Sequence, residues 1–417
     1  MAVIKRHKSN TGRSNKSRLK WFVAILFLVV FAKWWINIGG GGGGSSNNNL
    51  GGSSSSSSSS SLISKFVSLS SAGSHVAKFI EPILEPAASN ERYPPLSCRK
   101  LQEAVKHNQS VADPNRGEMY TTTTREPPKF QISVHHQDFD PAAWHIYTEG
   151  FYFEVGLHSA FTAILNATSH SISMTGKQQQ QQQQPQMHVL DVGGHIGYFS
   201  LLAAAHGNMV VDAFEPNLKH SIRLCESMIL NNWYNEYEQQ SSSKNARINW
   251  HPYATGKSES IEVFQEHPID PGMGTILKEG APDTEKGYQM RVISLDNFAN
   301  SRGWFETKPD IAIFKVDVDG YEAHVMEGAK QLLNSHIIRN IFMEAAIRNK
   351  EELKAARNSL LIISQAGYKV RQWGDVKGPQ NDVDWSHLTD PEHIASQVIA
   401  QAAKHEGKFL NVWWTLQ

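Results

Sequence analysis

The chain has 417 residues with 40 basic and 40 acidic side chains, so its formal charge is zero. The first 20 residues hold seven basic residues and no acidic one, which leaves residues 21–417 with 33 basic against 40 acidic side chains. This mildly acidic body excludes a broad phosphate-binding face, and we expect no nucleic-acid partner. Two cysteines, Cys98 and Cys225, exclude a four-cysteine zinc site and allow at most one disulfide, which their spacing alone does not support.

The N-terminal region predicts a membrane anchor. Residues 21–38, WFVAILFLVVFAKWWINI, begin with twelve apolar residues and would span about 27 Å as a helix. The basic tail, residues 1–20, would then remain in the cytoplasm. A cleaved signal peptide is the alternative, but the long basic segment and the absence of an Ala-x-Ala site favour an uncleaved anchor. We expect a single-pass protein of the endoplasmic reticulum or Golgi with a lumenal catalytic domain, in weak agreement with glycosylation sequons at Asn108 and Asn166.

Low-complexity sequence separates this span from the body. Residues 39–75 contain six consecutive glycines and nine consecutive serines, which is typical of a flexible linker. Residues 76–186 are predicted to form a stem that packs partly on the body, with apolar helical spacing in residues 151–168. The glutamine run at 178–184 is predicted to be a surface insertion within that stem.

From Met187 onward, short apolar runs alternate with helical segments. This alternation predicts an α/β domain over residues 187–417, built on a doubly wound, mostly parallel sheet of about seven strands. Ligands bind such sheets at the carboxyl ends of the strands. Main strands are predicted at 189–192, 209–214, 246–253, 311–316 and 338–344, an extra strand at 260–265, and closing strands at 368–373 and 409–416.

Four helices are predicted between these strands: at 197–206, from Leu218, through Val325 and Leu332, and at 351–366. The helix that begins at Leu218 carries an apolar stripe that includes Cys225. This position predicts that Cys225 is a buried core residue and not a reactive thiol. The stripe comprises Leu218, Ile222, Cys225 and Ile229.

The turn after the first main strand favours one type of cofactor. Residues 191–197 read D-x-G-x-x-x-G, which lacks the dinucleotide fingerprint G-x-G-x-x-G. Glycines let a ligand approach the backbone, and an acid at the end of the second strand is placed to bind both hydroxyls of a ribose. Since the turn has no Lys or Arg, a triphosphate fits poorly and S-adenosylmethionine fits better, with Asp191 near its ammonium or sulfonium group. The candidate cofactor contacts are Asp191, Gly193, Gly194, His195, Gly197 and Glu215.

A plainer interpretation of these positions also stands. Asp191 could cap the turn, and Glu215 could be a solvated strand end.

Five segments of the body occur in a characteristic order: VLDVGGHIGYFSLLAAAHG, VDAFEPN, HPYATGK, VISLDNF and FKVDVDGYEAHVMEGAKQLL. Together, over about residues 187–370, they resemble the FkbM-type methyltransferases. The resemblance implies the class I S-adenosylmethionine-dependent fold and methyl transfer to hydroxyl groups of small molecules and sugars. It also implies cofactor contacts at Asp191, Gly193, Gly197 and Glu215. The sequence departs from the family pattern at His195 and at Asp319, where Asn and Glu are usual.

Candidate catalytic carboxylates follow the fourth main strand. An alcohol acceptor needs a base, and Asp317, Asp319 and Glu322 project from the strand end where the class I fold presents its acceptor. We expect Asp317 to line the site and Asp319 or Glu322 to handle the proton, although each could instead be a carboxylate at a helix N-terminus. His195 is an alternative base and Glu344 a weaker one. The absence of D/N-P-P-Y/F favours oxygen over a base nitrogen as acceptor.

Two other classes of protein remain open. Asp317-Val318-Asp319 could hold a divalent metal in a type II membrane glycosyltransferase, or a metal that activates the acceptor of a methyl transfer. The glycine-rich turn and Glu215 would have no role in glycosyl transfer. The third reading is a tethered binding module with an inactive site. We expect a small-molecule or glycan hydroxyl as substrate; the sequence fixes neither a metal requirement nor an oligomeric state.

Overall fold

The described part of the chain begins beyond the predicted anchor. The predicted tail, span and linker (residues 1–75) lie outside the described residues, as do Asn108 and the glutamine run. None of the described helices is both long and apolar enough to cross a bilayer. The structure, a computed structural model, describes residues 92–93, 97–98, 100–102, 113, 115, 117–152, 154–176, 187–207, 209–233, 247–266, 274–277, 287–372, 387–404 and 409–416.

Strands and helices alternate through most of these residues. The strands are β1 (Tyr120–Thr123), β2 (Gln131–Val134), β3 (Met187–Val192), β4 (Met209–Phe214), β5 (Arg247–His251), β6 (Ala254–Thr255), β7 (Ser260–Glu266), β8 (Gly274–Leu277), β9 (Tyr288–Ile293), β10 (Ile311–Val316), β11 (Asn340–Ala346), β12 (Lys369–Gln372) and β13 (Phe409–Thr415). The helices are α1 (Pro141–Glu149), α2 (Val155–Gly176), α3 (Tyr198–Ala205), α4 (Leu218–Leu230), α5 (Leu295–Ser301), α6 (Trp304–Thr307), α7 (Glu322–Glu327), α8 (Lys330–Asn334), α9 (Lys350–Gln365) and α10 (Pro391–Ala402).

Seven strands form the main sheet in the order β12-β13-β11-β10-β3-β4-β5. Strands β11, β10, β3, β4 and β5 are parallel, whereas β13 runs antiparallel to both of its neighbours. This confirms the predicted mostly parallel α/β sheet, including both closing strands. The arrangement brings the carboxyl ends of β3, β4, β10 and β11 to one edge.

The central strand β10 shows why the sheet is covered on both faces. All six residues of its sequence IAIFKV are buried. Ile313 and Phe314, whose side chains point to opposite faces, contribute to two different hydrophobic cores. A strand buried on both faces therefore appears in the sequence as a nearly continuous apolar run, here interrupted by Lys315.

Helix α4 follows the predicted apolar stripe only in part. Leu218, Ile222 and Cys225 are buried, but Ile229 in the last turn is 43% exposed. Met228 takes the inward position instead and is 3% exposed. In the last turn of the helix, the buried position is therefore residue 228 and not the predicted residue 229.

A second sheet of four strands, in the order β6-β9-β7-β8, lies beyond β5 in the chain. The sequence predicted only β7 among these strands, as the extra strand at 260–265. Strand β7 lies between β8 and β9 and runs antiparallel to both. Phe264 of β7 packs near Ile276 of β8. This small sheet supplies the apolar end of the cavity described below.

The described part of the predicted stem packs against helix α4. The backbone N–H of Ser133 in β2 donates to Ser227 Oγ at 2.8 Å, and the backbone N–H of Gln131 donates to Asn231 Oδ1 at 2.9 Å. A disulfide joins Cys98 to Cys225 across 127 positions of the chain. The burial of Cys225 confirms it as a core residue, and the pairing that spacing could not establish is present.

Candidate functional site

The turn between β3 and α3 brings glycines against neighbouring elements. Gly193 has φ +77°, and a β-carbon there would lie 1.8 Å from the carbonyl oxygen of Asp317. Gly197 has φ +87°, and its β-carbon would lie 2.3 Å from Leu224 Cδ1. At Gly194 the nearest atom would be 3.7 Å away, which is ordinary contact. Backbone conformation and close packing therefore require glycine at 193 and 197 but not at 194.

Glu215 follows β4 with a carboxylate that is 6% exposed. Its Oε2 accepts the backbone N–H of His195 at 2.8 Å, and its Oε1 accepts that of Asn217 at 2.7 Å. Burial raises the pKa of this carboxyl, although the two backbone hydrogen bonds oppose the rise. The side chain is thus oriented on the cavity wall, unlike a solvated strand end.

Asp191 lies beneath the turn. It is 1% exposed, and its Oδ2 accepts a hydrogen bond from Ser200 Oγ at 2.6 Å. Lys315 Nζ lies 3.6 Å from Asp191 Oδ1 and 3.3 Å from Asp317 Oδ2, and it donates to the Gly193 carbonyl oxygen at 3.2 Å. Burial would lower the pKa of Lys315, but Asp317 and Asp191 raise it above its ordinary value. This ammonium group links the turn to the end of β10.

The three predicted catalytic carboxylates separate into two groups. Asp317 and Asp319 line the cavity, and Asp319 has a left-handed backbone with φ +49°. Glu322, the first residue of α7, is 3% exposed, and its Oε1 accepts the backbone N–H groups of Val318 and Gly320, both at 3.1 Å. Burial raises the pKa of Glu322 to about 7, against the lowering effect of these hydrogen bonds. Glu322 therefore shapes the loop from within.

Two further carboxylates share the cavity with Asp317. Glu154 precedes α2, and its Oε1 accepts a hydrogen bond from Asn411 Nδ2 at 2.7 Å. Burial, with the Asp317 carboxylate, raises the pKa of Glu154 to about 7. The same two causes raise the pKa of Glu344 in β11 well above its ordinary value. The sequence carries no motif around Glu154, which stands in an apolar stretch that resembles the start of a helix.

His195 also lines the cavity and is paired with an acid from outside the predicted body. Its Nε2 is 2.7 Å from Oδ2 of Asp140, and its ring centroid is 4.3 Å from that of His220. Burial would lower the pKa of His195, but Asp140 raises it. Burial would likewise raise the pKa of Asp140, but the charge of His195 lowers it to about 2. Asp140 also caps α1 by accepting the Ala143 N–H at 2.9 Å.

All these walls enclose one cavity of about 270 Å³ at the carboxyl edge of the main sheet. Among the predicted site residues, those that line it are Gly193, His195, Glu215, Asp317 and Asp319, together with the weaker candidate Glu344. The others lie behind the lining, in the turn or at the start of a helix: Asp191, Gly194, Gly197 and Glu322. The lining residues that no sequence motif indicated include Asp140, Tyr152, Glu154 and His220.

The lining suits the cofactor expected from the sequence. Glu215 presents a fixed carboxylate, and each of its oxygens has a further lone pair that could accept from a ribose hydroxyl. Phe264 and Ile276 provide apolar surface on the cavity lining that could contact a base. Carboxylates at Asp317 and Glu154 suit a cationic group such as a sulfonium. The residues present therefore fit S-adenosylmethionine.

Comparisons with known proteins agree with this chemistry. Residues 191–370 match the family described as the methyltransferase FkbM domain. Among curated proteins, no sequence matches the chain significantly.

Two solved structures are similar to parts of the chain. One is methyltransferase FkbM from Methylobacillus flagellatus KT, with 14% identity, a TM-score of 0.31, and coverage of 55% of this chain and 43% of that one. The other is a putative S-adenosylmethionine-dependent methyltransferase from Streptococcus mutans, with 10% identity, a TM-score of 0.30, and coverage of 71% and 56%. The chain thus spans about half the length of each. The family match confirms the resemblance seen in the sequence for residues 191–370: this part of the chain matches the methyltransferase FkbM domain.

Proposed function

We propose that the protein is an O-methyltransferase that transfers a methyl group from S-adenosylmethionine to a hydroxyl of a glycan or glycolipid. One observation carries this proposal: Glu215 and the carboxylates Glu154, Asp317 and Glu344 line a single cavity. Glu215 offers contacts for the donor, and the other three carboxylates offer proton acceptors for an alcohol. Both requirements of O-methyl transfer are therefore met within one space.

The donor side is organised before any ligand binds. S-adenosylmethionine supplies an electrophilic methyl group on a sulfonium. Glu215 is held at both oxygens by backbone N–H groups, so it can accept ribose hydroxyls without reorganising. Gly193 lets the turn pack directly against the backbone of Asp317, and both residues line the cavity. Alignment of two bound reactants can account for about 7–11 kcal/mol of barrier lowering.

The acceptor side has a base suited to neutral pH. A general base works best when its pKa lies near the operating pH, and that of Glu154 is raised to about 7. Asn411 fixes one carboxylate oxygen, which leaves Oε2 to take the proton of the acceptor hydroxyl. We assign Glu344, whose pKa is raised by burial and by neighbouring carboxylates, to positioning the acceptor by hydrogen bonds. We assign Asp317 and Asp319 to binding the acceptor and neutralising the sulfonium.

The glycan assignment rests on location. Disulfides persist in oxidising compartments such as the lumen of the endoplasmic reticulum, so the Cys98–Cys225 bond supports a lumenal body. The apolar run at residues 21–38 and the exposed sequon residue Asn166 on α2 support the same side. Glycans and glycolipids are abundant hydroxyl acceptors there, whereas S-adenosylmethionine is made in the cytosol and would have to be imported.

A binding titration separates methyl transfer from the other classes. We expect S-adenosylmethionine to release heat on binding to the full chain in detergent, and Glu215→Ala to weaken binding by at least about tenfold, since it removes hydrogen bonds to a charged group. Glu351→Ala, at an exposed position in the first turn of α9, is the matched control and should bind normally. Binding of a nucleotide sugar with Mn²⁺, and none of S-adenosylmethionine, would instead favour the glycosyltransferase.

Mass spectrometry then tests the acceptor. Glycans and glycolipids incubated with the protein and S-adenosylmethionine should gain one methyl group per modified hydroxyl, and Glu154→Gln should suppress this gain. Methylation confined to other small alcohols would overturn the glycan assignment, whereas binding without any product would leave a binding module.

A further inference from the structure

We propose that His135, Asp140 and His220 form a binding site for one divalent metal ion of the Zn²⁺ type. Across the described ranges, these three side chains form the group that places one potential ligand atom each within 4.8 Å of the others. His135 directly follows β2, Asp140 caps the N-terminus of α1, and His220 lies in the first turn of α4. The fold therefore brings together ligands from three separate elements.

Burial of unsatisfied nitrogen is the second observation that points to a ligand. His135 is 0% exposed, and in the structure neither of its ring nitrogens has a hydrogen-bond partner. An unsatisfied buried polar group destabilises the fold, and a coordinated ion would relieve that cost. Asp140 and His220 are 1% and 2% exposed, and both line the cavity described above.

Arg223 is a buried cation on α4, one turn after the proposed ligand His220. Arg223 is itself paired with Asp113 at 2.8 Å and Glu226 at 3.1 Å, so its charge is largely offset for an incoming cation.

His195 completes the surroundings of the group. Its Nε2 lies 2.7 Å from Asp140 Oδ2, where an imidazole N–H can orient a ligating carboxylate from outside the coordination shell. Without an ion, His195 would still be a partner for the buried Asp140 carboxylate, but the buried ring nitrogens of His135 would have none. A metal accounts for both.

The ligand types restrict the ion. Two imidazoles and one carboxylate suit Zn²⁺ and similar transition metals, whereas Mg²⁺ and Ca²⁺ prefer oxygen ligands. Three protein ligands leave a coordination position for water. The site would also connect the segment that contains β2 and α1 to helix α4. The Cys98–Cys225 bond connects the region around Cys98 to the same helix. Both links join parts outside residues 191–370 to the methyltransferase domain.

Zinc titration of the full chain tests the site independently of methyl transfer. After treatment with a chelator, the protein should bind one Zn²⁺ per chain by calorimetry and native mass spectrometry. His135→Gln should weaken this binding by at least about 100-fold, because losing even an outer-shell partner costs about 10–100-fold. His136→Gln changes the neighbouring, partly exposed histidine, whose Nδ1 lies 3.4 Å from Asp138 Oδ2, and should bind normally.

A second variant guards against misfolding. Asp140→Asn keeps an oxygen to cap α1, so it should fold, as judged by circular dichroism, while losing most of its zinc affinity. Cobalt(II) bound in place of zinc should give visible absorption bands in the wild type that are absent from His135→Gln. Zinc affinity that is unchanged in both variants, or a wild type that binds no zinc, would overturn the proposal.

Discussion

Gly193 and Asp317 meet where strands β3 and β10 end, at a separation that leaves no room for a side chain. A β-carbon on Gly193 would lie 1.8 Å from the carbonyl oxygen of Asp317. The backbone N–H of Asp317 also donates to the carbonyl oxygen of Val192 at 3.1 Å. The contact joins the turn that is proposed to hold the donor to the strand end that carries Asp317. The spacing between these two walls of the cavity therefore depends on glycine at 193.

Gly193→Ala should accordingly lower the free energy of unfolding by about 2–4 kcal/mol, since it combines positive φ with a backbone clash. It should also weaken S-adenosylmethionine binding. Gly194→Ala is the matched control, because its β-carbon would meet nothing closer than 3.7 Å, and it should change stability by less than about 1 kcal/mol. Urea unfolding and calorimetry measure both quantities, and equal tolerance of the two substitutions would contradict the contact.

The main sheet could be predicted because its strands are chemically distinct. The fully buried β10, apolar except for Lys315, and the glycines that follow β3 mark both the topology and the ligand-binding edge. The direction of Asp191 follows from the pleat: it points to the face opposite Val192, toward α3 and Ser200. Motif position alone does not carry that information.

The features that the sequence did not predict depend on contacts between distant parts of the chain. Glu154 and His220 have no local signature, and only packing brings them to the cavity. The short strand β8, with sequence GTIL, has too few residues for a periodic pattern. Pairing of Cys98 with Cys225 likewise requires the docking of the predicted stem on α4.

The proposed proton acceptor predicts a pH profile. Glu154 must be deprotonated to accept a proton, so the rate should rise with pH and level off above about 7, the value to which its pKa is raised. Glu154→Gln should lower the rate by about 10²–10⁴-fold and remove this rise. Glu344→Gln resembles the protonated form of its carboxyl and should have a smaller effect. Initial rates from pH 5.5 to about 8.5 would check this, and a larger loss in Glu344→Gln would reverse the two roles.

The disulfide predicts a redox-dependent stability. A bond that closes a loop of 127 residues restricts the unfolded chain strongly, so its reduction should lower the free energy of unfolding by about 3–5 kcal/mol. The double variant Cys98→Ala, Cys225→Ala should show a similar loss and no further response to reductant. Thermal melting with and without dithiothreitol measures the effect. Equal melting temperatures for oxidised and reduced wild type would show that the bond contributes nothing.

Glu322 should affect stability through its charge. Its folded pKa is raised to about 7 from the ordinary 4.5, so the folded state holds more protons between these values and stability falls as pH rises through that window. The loss amounts to about 3 kcal/mol by pH 8. Glu322→Gln keeps an oxygen for the N–H groups of Val318 and Gly320, so it should unfold less easily than wild type at pH 8 and show a weaker pH dependence.

Glu322→Ala separates the charge of this side chain from its hydrogen bonds. It leaves both N–H groups without their acceptor, so it should be destabilised at pH 5 and at pH 8 alike. Urea unfolding of the three proteins at both pH values provides the comparison, with turnover measured alongside. If Glu322→Gln lost activity as severely as Glu154→Gln while remaining stable, Glu322 would be acting on the proton and not on the loop.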